Sequence, residues 1–231
     1  MTLIHLLSGG AAQGLVTQLE DRFLAQHQCS ISASFGAVGM MKDSLLAGAP
    51  CDVLILTEAL ISQLTARGEV VSGSAHALGV VKTGVAVKTG APVPAVGSPA
   101  ELKAALQAAQ GIYFPDPVKA TAGIHFMNVL KQLGLDAELA GRLRPFPNGA
   151  TAMAAMAQAA GPGLIGCTQV TEILCTPGVE LVAPLPKEFE LATVYTAALC
   201  ARATQPQAAR DLIGLLVSAD AAALRRSCGF E

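Results

Sequence analysis

Short apolar segments alternate with amphipathic segments at the start of the chain, and this alternation restricts the fold more than any other feature of the sequence. Leu15, Leu19 and Phe23 recur at helical spacing among polar residues, which predicts a helix. The predicted strands cover residues 3–7, 30–35 and 51–56, and the predicted helices cover residues 14–27, 40–47 and 58–67. A βαβαβα order is typical of an α/β protein in which helices cover both faces of a mostly parallel sheet.

The middle of the chain predicts a second lobe. A Pro-rich segment at residues 91–99 follows two short apolar strands and leads into a helix that Ser98 caps. The further strands are predicted at residues 77–81, 84–88, 112–114, 163–167, 179–183 and 191–201, and the further helices at residues 99–110, 137–143, 150–160, 207–216 and 219–226. We expect one lobe from residues 1–82 and 196–231, a second lobe from residues 83–195, and a ligand cleft between them.

The stretch from Tyr113 to Gly134 predicts a strand end, a loop with Pro and Gly, and then an amphipathic helix. The start of a helix presents unpaired backbone N–H groups and the positive end of the dipole, which together favour an anion. Three other small-residue loops have the same strand-to-helix character, although each is also typical of an ordinary α/β turn. The residues expected around a small negative ligand are Ser8, Gly9, Gly10, Ala37, Val38, Gly39, Thr121, Ala122, Gly123, Asn148, Gly149, Gly166 and Cys167.

Composition argues against several classes of function. The formal net charge is −2 and no Lys/Arg cluster occurs, which argues against nucleic acid as a partner. No apolar run reaches the roughly 18 residues of a membrane span. The 4 histidines lie far apart and no nucleotide-binding motif occurs, so neither a metal nor a cofactor is expected.

The N-terminus and the cysteines predict the compartment. The first residues lack the positive and apolar regions of a signal peptide, so we expect a cytoplasmic protein as the sequence is written, and a periplasmic one if a signal has been trimmed. The 6 cysteines are scattered, without a CxxC motif, and most lie in apolar contexts. This pattern predicts buried thiols in a reducing compartment.

Several segments resemble the periplasmic molybdate-binding protein family, which has the two-lobed type II periplasmic-binding-protein-like fold. Gly48-Ala-Pro-Cys-Asp-Val-Leu-Ile55 is similar to that family's GAPADV-type strand entry. Asp116-Pro followed by Ala122-Gly123 and Leu130-Lys-Gln-Leu-Gly134 is similar to its DP…PAG…LxxLG segment, and Cys228-Gly-Phe230 to its closing YGF. The resemblance implies an α/β fold whose two lobes, each a mixed and mostly parallel sheet with helices on both faces, close on a small anion.

The family's ligand-binding hydroxyl groups are missing at the corresponding positions. The resemblance implies that the family's first serine corresponds to Gly10 in this chain and its second serine to Val38 or Gly39. The family's tyrosine corresponds to about Gly166. Backbone donors at Ala122 and Gly149 are retained. Because a dehydrated tetrahedral oxyanion needs many donors, these losses favour a larger ligand such as an organic carboxylate.

A second resemblance suggests that the chain is an enzyme, as the alternative to a binding protein. Aconitate isomerases are similar in sequence to the molybdate-binding proteins and catalyse a 1,3-proton shift on an unsaturated tricarboxylate. Such a reaction requires a base and an acid, and His125 and Lys119 are the candidates, although a packing histidine and a solvated loop lysine are equally ordinary readings. A ligand sensor is a third hypothesis. An ABC permease is expected as a partner only if an export signal has been removed.

Overall fold

The structure is a computed structural model that describes residues 2–231. Its strands are β1 (Thr2–Gly9), β2 (Cys29–Gly36), β3 (Val53–Thr57), β4 (His76–Lys88), β5 (Gly111–Pro115), β6 (Leu143–Phe146), β7 (Leu164–Gln169), β8 (Val179–Pro184) and β9 (Ala192–Leu199). Its α-helices are α1 (Gln13–His27), α2 (Val38–Leu46), α3 (Glu58–Ala66), α4 (Pro99–Ala108), α5 (Thr121–Gln132), α6 (Gly149–Gln158), α7 (Val170–Leu174), α8 (Pro206–Val217) and α9 (Ala222–Ser227).

The chain forms two compact units, and the first is built from both ends of the sequence. The first unit comprises Met1–Val81 and Thr193–Glu231, and the second comprises Lys82–Ala192. The alternation of strands and helices confirms the predicted α/β class. Ser98 caps α4 as predicted, because its hydroxyl oxygen accepts a hydrogen bond from the backbone N–H of Glu101 across 3.3 Å.

In the first unit, β1 lies between β2 and β3 and runs parallel to both. The other neighbour of β3 is β9, which is antiparallel and places Leu54 opposite Ala198. Buried apolar side chains from α1 and α8, including Leu15, Phe23 and Leu212, belong to the core of this unit. The apolar residues that recur at helical spacing in the sequence therefore lie on the buried faces of these helices.

In the second unit, the strand order is β6-β5-β7-β4-β8. β5 is parallel to β6 and β7, whereas β4 is antiparallel to β7 and β8. Phe114 of β5 and Phe126 of α5 meet edge to face, with ring centroids 5.4 Å apart, in one core of this unit. Met153 and Met156 of α6 belong to a second core. The parallel strands place the starts of α5 and α6 after β5 and β6, at the same edge of the sheet.

Two local predictions were wrong, and one short helix was missed. The two short strands expected at residues 77–81 and 84–88 are one strand, β4, because the backbone N–H and carbonyl of Thr83 are paired with Leu191 and Leu185. The helix expected at residues 137–143 is a turn, a 3-10 helix at Ala140–Arg142 and the start of β6. The sequence reading also missed α7, which has only 5 residues.

The helices of residues 2–231 are all too short or too polar to cross a bilayer.

Candidate functional site

Closely packed backbone forms the loop after β1. Ser8 is fully buried, and its Oγ donates a hydrogen bond to the carbonyl oxygen of Gly9, 2.8 Å away. A Cβ atom at Gly9 would lie 2.8 Å from Cγ1 of Val38 and 3.1 Å from Cε1 of Tyr195. The chain then enters a 3-10 helix at Gly10–Ala12. Because the Ser8 hydroxyl donates to Gly9, the donors that remain in this loop are backbone N–H groups rather than the Ser8 side chain.

The loop after β2 packs against the loop after β1 through Val38 and Gly9. Ala37 and Val38 are buried, and Gly39 is half-buried. Ala37 is the N-cap of α2, and its side chain makes no capping hydrogen bond. The structure therefore brings two of the four predicted loops together within the first unit, beside a helix start that no side chain caps.

In the second unit, α5 also begins without a capping side chain, since its N-cap is Ala120. Oδ1 of Asp116 accepts hydrogen bonds from the backbone N–H groups of Val118, at 2.7 Å, and Lys119, at 2.8 Å, and so holds the preceding loop. A Cβ atom at Gly123 would overlap the backbone carbonyl oxygens of Pro115 and Asp116. Glycine is therefore required for the first turn of α5 to pack against this loop.

The neighbouring residues Thr121 and Ala122 complete the first turn of α5. Thr121 is half-buried, and Ala122 is buried. α5 has 12 residues, long enough for the aligned peptide dipoles to place partial positive charge at this end. The first turn thus combines small side chains, positive potential and an N-cap without an acceptor oxygen.

The start of α6 differs because side chains already occupy it. Oδ1 of Asn148 accepts hydrogen bonds from the backbone N–H and from Oγ1 of Thr151, both at 2.8 Å. Asn148 is thus a conventional N-cap.

A buried carboxylate lies against the same helix start. Oγ1 of Thr168 donates a hydrogen bond to Oε2 of Glu172 across 2.5 Å. The carboxylate also accepts backbone hydrogen bonds from Gly149, Ala150 and Gln169. Burial raises the pKa of Glu172 and outweighs these hydrogen bonds, which lower it. The N–H of Gly149, expected to bind the ligand, therefore has an acceptor within the protein.

Sequence reasoning missed Glu172, although one signal was available. It is the only charged residue in the apolar segment Leu164–Leu174. A charge in such a segment is costly to bury unless hydrogen bonds compensate it, so its presence indicates a specific polar contact.

Gly166 and Cys167 lie in β7 among packed side chains. A Cβ atom at Gly166 would lie 2.5 Å from Cε and 2.7 Å from Sδ of Met153. Cys167 is fully buried in an apolar core, and burial raises the pKa of its thiol far above the ordinary value. This thiol is therefore neutral, and both positions serve the packing of α6 and α5 on the sheet.

The candidate base, His125, is half-buried on α5. Its Nε2 lies 2.7 Å from the carbonyl oxygen of Phe189, which belongs to the 3-10 helix Lys187–Phe189. A carbonyl oxygen only accepts, so Nε2 carries the hydrogen and Nδ1 is the basic nitrogen of the neutral ring. The candidate acid, Lys119, has an exposed side chain in the loop before α5.

Metal-ligating side chains do not cluster: in residues 2–231 no three His, Cys, Asp or Glu side chains are grouped so that they could hold a metal ion.

The sequence pattern of a family described as bacterial extracellular solute-binding protein matches residues 4–231. An aconitate isomerase from a Pseudomonas species is 26% identical over 239 residues, which cover 100% of this chain and 88% of that protein.

Solved structures with a similar fold include two anion-binding proteins. The Azotobacter vinelandii periplasmic molybdate-binding protein aligns with a TM-score of 0.80 and 19% identity over 99% of this chain and 98% of its own. The sulfate-binding protein SubI from Mycobacterium tuberculosis H37Rv aligns with a TM-score of 0.75 and 18% identity over 100% of this chain and 86% of its own. These likenesses confirm the type II periplasmic-binding-protein fold. Because the family pattern covers nearly the whole chain, this protein belongs to the bacterial extracellular solute-binding protein family.

Proposed function

We propose that the chain binds a small organic carboxylate and that the first turn of α5 receives its negative charge. The observation that carries this proposal is the contrast between the two helix starts of the second unit. The N-cap of α5 is Ala120, which has no acceptor oxygen, whereas Asn148 and Glu172 already occupy the start of α6. A helix start whose backbone N–H groups already donate to an internal side chain has fewer donors left for an anion.

The scarcity of side-chain donors supports a carboxylate rather than a tetrahedral oxyanion. The Ser8 hydroxyl donates to Gly9, and Gly149 donates to Glu172. A desolvated dianion requires more donors than these loops retain. A single carboxylate group carries one negative charge and needs fewer donors at this helix start, and the carbon skeleton that bears it can contact small apolar residues such as Ala122.

Two nearly isosteric substitutions at one position test this proposal. Thr121→Asp places a negative charge in the first turn of α5, and Thr121→Asn places a neutral side chain of the same size there. Calorimetric titration with cis-aconitate, trans-aconitate, sulfate and molybdate measures affinity. We expect the Asp variant to lose about tenfold or more in affinity for the carboxylates and the Asn variant to lose about threefold at most.

We expect both variants to keep the helix and to be at least as stable to heat as the unsubstituted protein, because Asp and Asn are both tolerated at a helix start and Asp is favoured there. Equal losses in the two variants would contradict a role for the charge of this turn. Tight binding of molybdate or sulfate without binding of the carboxylates would overturn the proposed ligand class.

A second candidate function is a 1,3-proton shift on an unsaturated di- or tricarboxylate. The aconitate isomerase relative, which aligns with the whole chain at 26% identity, supports it. In this proposal Nδ1 of His125 removes the proton, because Nε2 is occupied by the Phe189 carbonyl, and Lys119 pairs with a substrate carboxylate or returns a proton.

Proton NMR of the protein with cis- or trans-aconitate in D2O tests this second function. Interconversion or deuterium incorporation above the rate without protein is the expected result. His125→Gln retains a donor for the Phe189 carbonyl but has no base, so exchange should fall at least about a hundredfold. His76→Gln, a histidine of the first unit, is the control. Binding without exchange in the unsubstituted protein would leave the carboxylate binder alone.

A further inference from the structure

Two cysteines that are distant in the sequence have their sulfur atoms in contact in the first unit. Sγ of Cys200 lies 3.1 Å from Sγ of Cys51, closer than the roughly 3.5–4.0 Å of ordinary packed contact. β3 and β9 fix this arrangement, because they pair antiparallel with Val53 opposite Leu199. The backbone N–H of Cys200 also donates to the carbonyl oxygen of Asp52 across 3.0 Å. Cys200 therefore lies beside the residue that follows Cys51, and this places the two cysteines close enough for their sulfur atoms to meet.

Both cysteines line a surface pocket of the first unit, together with His5, Asp52 and Arg202. Cys51 is 8% exposed and Cys200 is 2% exposed, so an incoming reagent meets Cys51 first. The hydrogen bond to Cys51 and burial raise the pKa of Cys200, which keeps that thiol protonated until its partner has reacted. The pocket gives a small reagent access to sulfur atoms that are otherwise buried.

We propose that Cys51 and Cys200 form a reversible disulfide by exchange with a low-molecular-weight disulfide. The Cys51 sulfur, as thiolate, attacks one sulfur of the small disulfide, whose S–S bond breaks and whose other half leaves as a thiol after taking up a proton. Cys200, having lost its proton to solvent, then attacks the Cys51 sulfur of this mixed disulfide and releases the second small thiol. The two cysteines are oxidised, and the small disulfide is reduced to two thiols.

The position of this bond in the chain has a consequence for the first unit. Cys51 and Cys200 are 149 residues apart, and the whole second unit, Lys82–Ala192, lies between them in the sequence. The disulfide therefore joins the two separate segments of the first unit covalently. Closing so long a loop restricts the unfolded chain strongly, so oxidation should raise the thermal midpoint by about 5 °C or more.

The test incubates the reduced full chain with mixtures of oxidised and reduced glutathione, blocks the remaining thiols by alkylation, and maps the cysteines by mass spectrometry without reduction. Cys175 is exposed and reports that the reagent is active. We expect a peptide pair linked through Cys51 and Cys200 and a simple glutathione adduct at Cys175.

Cleavage of the oxidised protein within the second unit provides an independent readout. The N- and C-terminal fragments should migrate together in denaturing gels and separate when a reductant is added. Cys200→Ser should abolish this linkage, while Cys29→Ser, at a buried cysteine of the same unit, should retain it. If Cys51 keeps its glutathione, or if both thiols stay reduced while Cys175 is modified, the proposal is overturned. The unsubstituted protein alone decides between these results, even if Cys200→Ser does not fold.

Discussion

At the scale of single residues, Gly149 and Gly123 show why small residues occupy the predicted loops. A Cβ atom at Gly149 would overlap Glu172 and Thr168, and one at Gly123 would overlap the backbone of Pro115 and Asp116. In the first case the missing side chain makes room for a carboxylate, and in the second it lets two backbone segments approach. These glycines are therefore required by close packing, whatever the ligand is.

Gly149→Ala should reduce the free energy of unfolding by about 2–3 kcal/mol, because the added methyl group displaces Glu172 from its backbone donors. Gly141→Ala is the matched control in the same unit, since nothing lies within 4 Å of its added Cβ, and its effect should stay within about 0.5 kcal/mol. Urea unfolding of the full chain measures both. If the two substitutions change the free energy of unfolding equally, the overlap at Gly149 is relieved without loss of stability.

At the scale of secondary-structure elements, Asp52 connects three elements of the first unit. Oδ2 accepts from the N–H of His5 in β1, at 2.8 Å. Oδ1 accepts from the N–H groups of Thr204, at 2.6 Å, and Gln205, at 3.0 Å, at the start of α8. Asp52 itself directly precedes β3. Burial alone raises the pKa of Asp52, but these hydrogen bonds together lower it below the ordinary value of 3.8.

The lowered pKa predicts how stability depends on pH. A carboxyl whose pKa is lower in the folded state stabilises the fold above its unfolded value, 3.8, and that contribution is lost as the pH falls through the folded value. We expect Asp52→Asn to lose about 2 kcal/mol near pH 7, since one acceptor oxygen becomes a donor facing backbone N–H groups.

As the pH falls below 3.8, the free energy of unfolding of the same variant should decrease less than that of the unsubstituted protein. Urea unfolding at a series of pH values measures how the free energy of unfolding of each protein depends on pH. If the free energy of unfolding decreases equally steeply with falling pH in the two proteins, carboxylates other than Asp52 cause the acid sensitivity of the fold.

At the scale of the whole molecule, the two units have separate apolar cores. The core of the first unit combines side chains from both ends of the chain, such as Ile4, Leu54 and Leu212. The cores of the second unit draw only on a continuous segment of the sequence. The first unit therefore cannot form until the C-terminal segment has been made, whereas the second has no such requirement.

The segment Lys82–Ala192 should consequently fold by itself, with a helical and stranded circular dichroism spectrum and a cooperative thermal transition. The segment of residues 1–81 should not, because β3 lacks β9 as its antiparallel neighbour and the core lacks α8. A non-cooperative melt of residues 82–192, or a folded segment of residues 1–81, would contradict the independence of the two cores.

Local patterns in the sequence were sufficient for most elements and for the family. Helical spacing located α1, alternation with apolar strands established the α/β class, and Ser98 marked the start of α4, because periodicity and capping depend on residues a few positions apart. Family motifs near Asp116 and Gly123 identified the type II fold. The helix predicted at residues 137–143 was wrong because local patterns do not show strand pairing. Leu143 begins β6, which pairs with the distant strand β5.

Only the tertiary structure decided which groups meet. His125 contacts a carbonyl 64 residues away, Cys51 meets a cysteine 149 residues away, and Glu172 reaches a helix start that a different strand leads into. Local propensities carry no information on such pairs, because strand order and register bring them together. The sequence by itself therefore determined the elements, the fold class and the loops with helix starts. Tertiary packing decided that Glu172 accepts hydrogen bonds from the backbone at the start of α6, while no side chain caps α5.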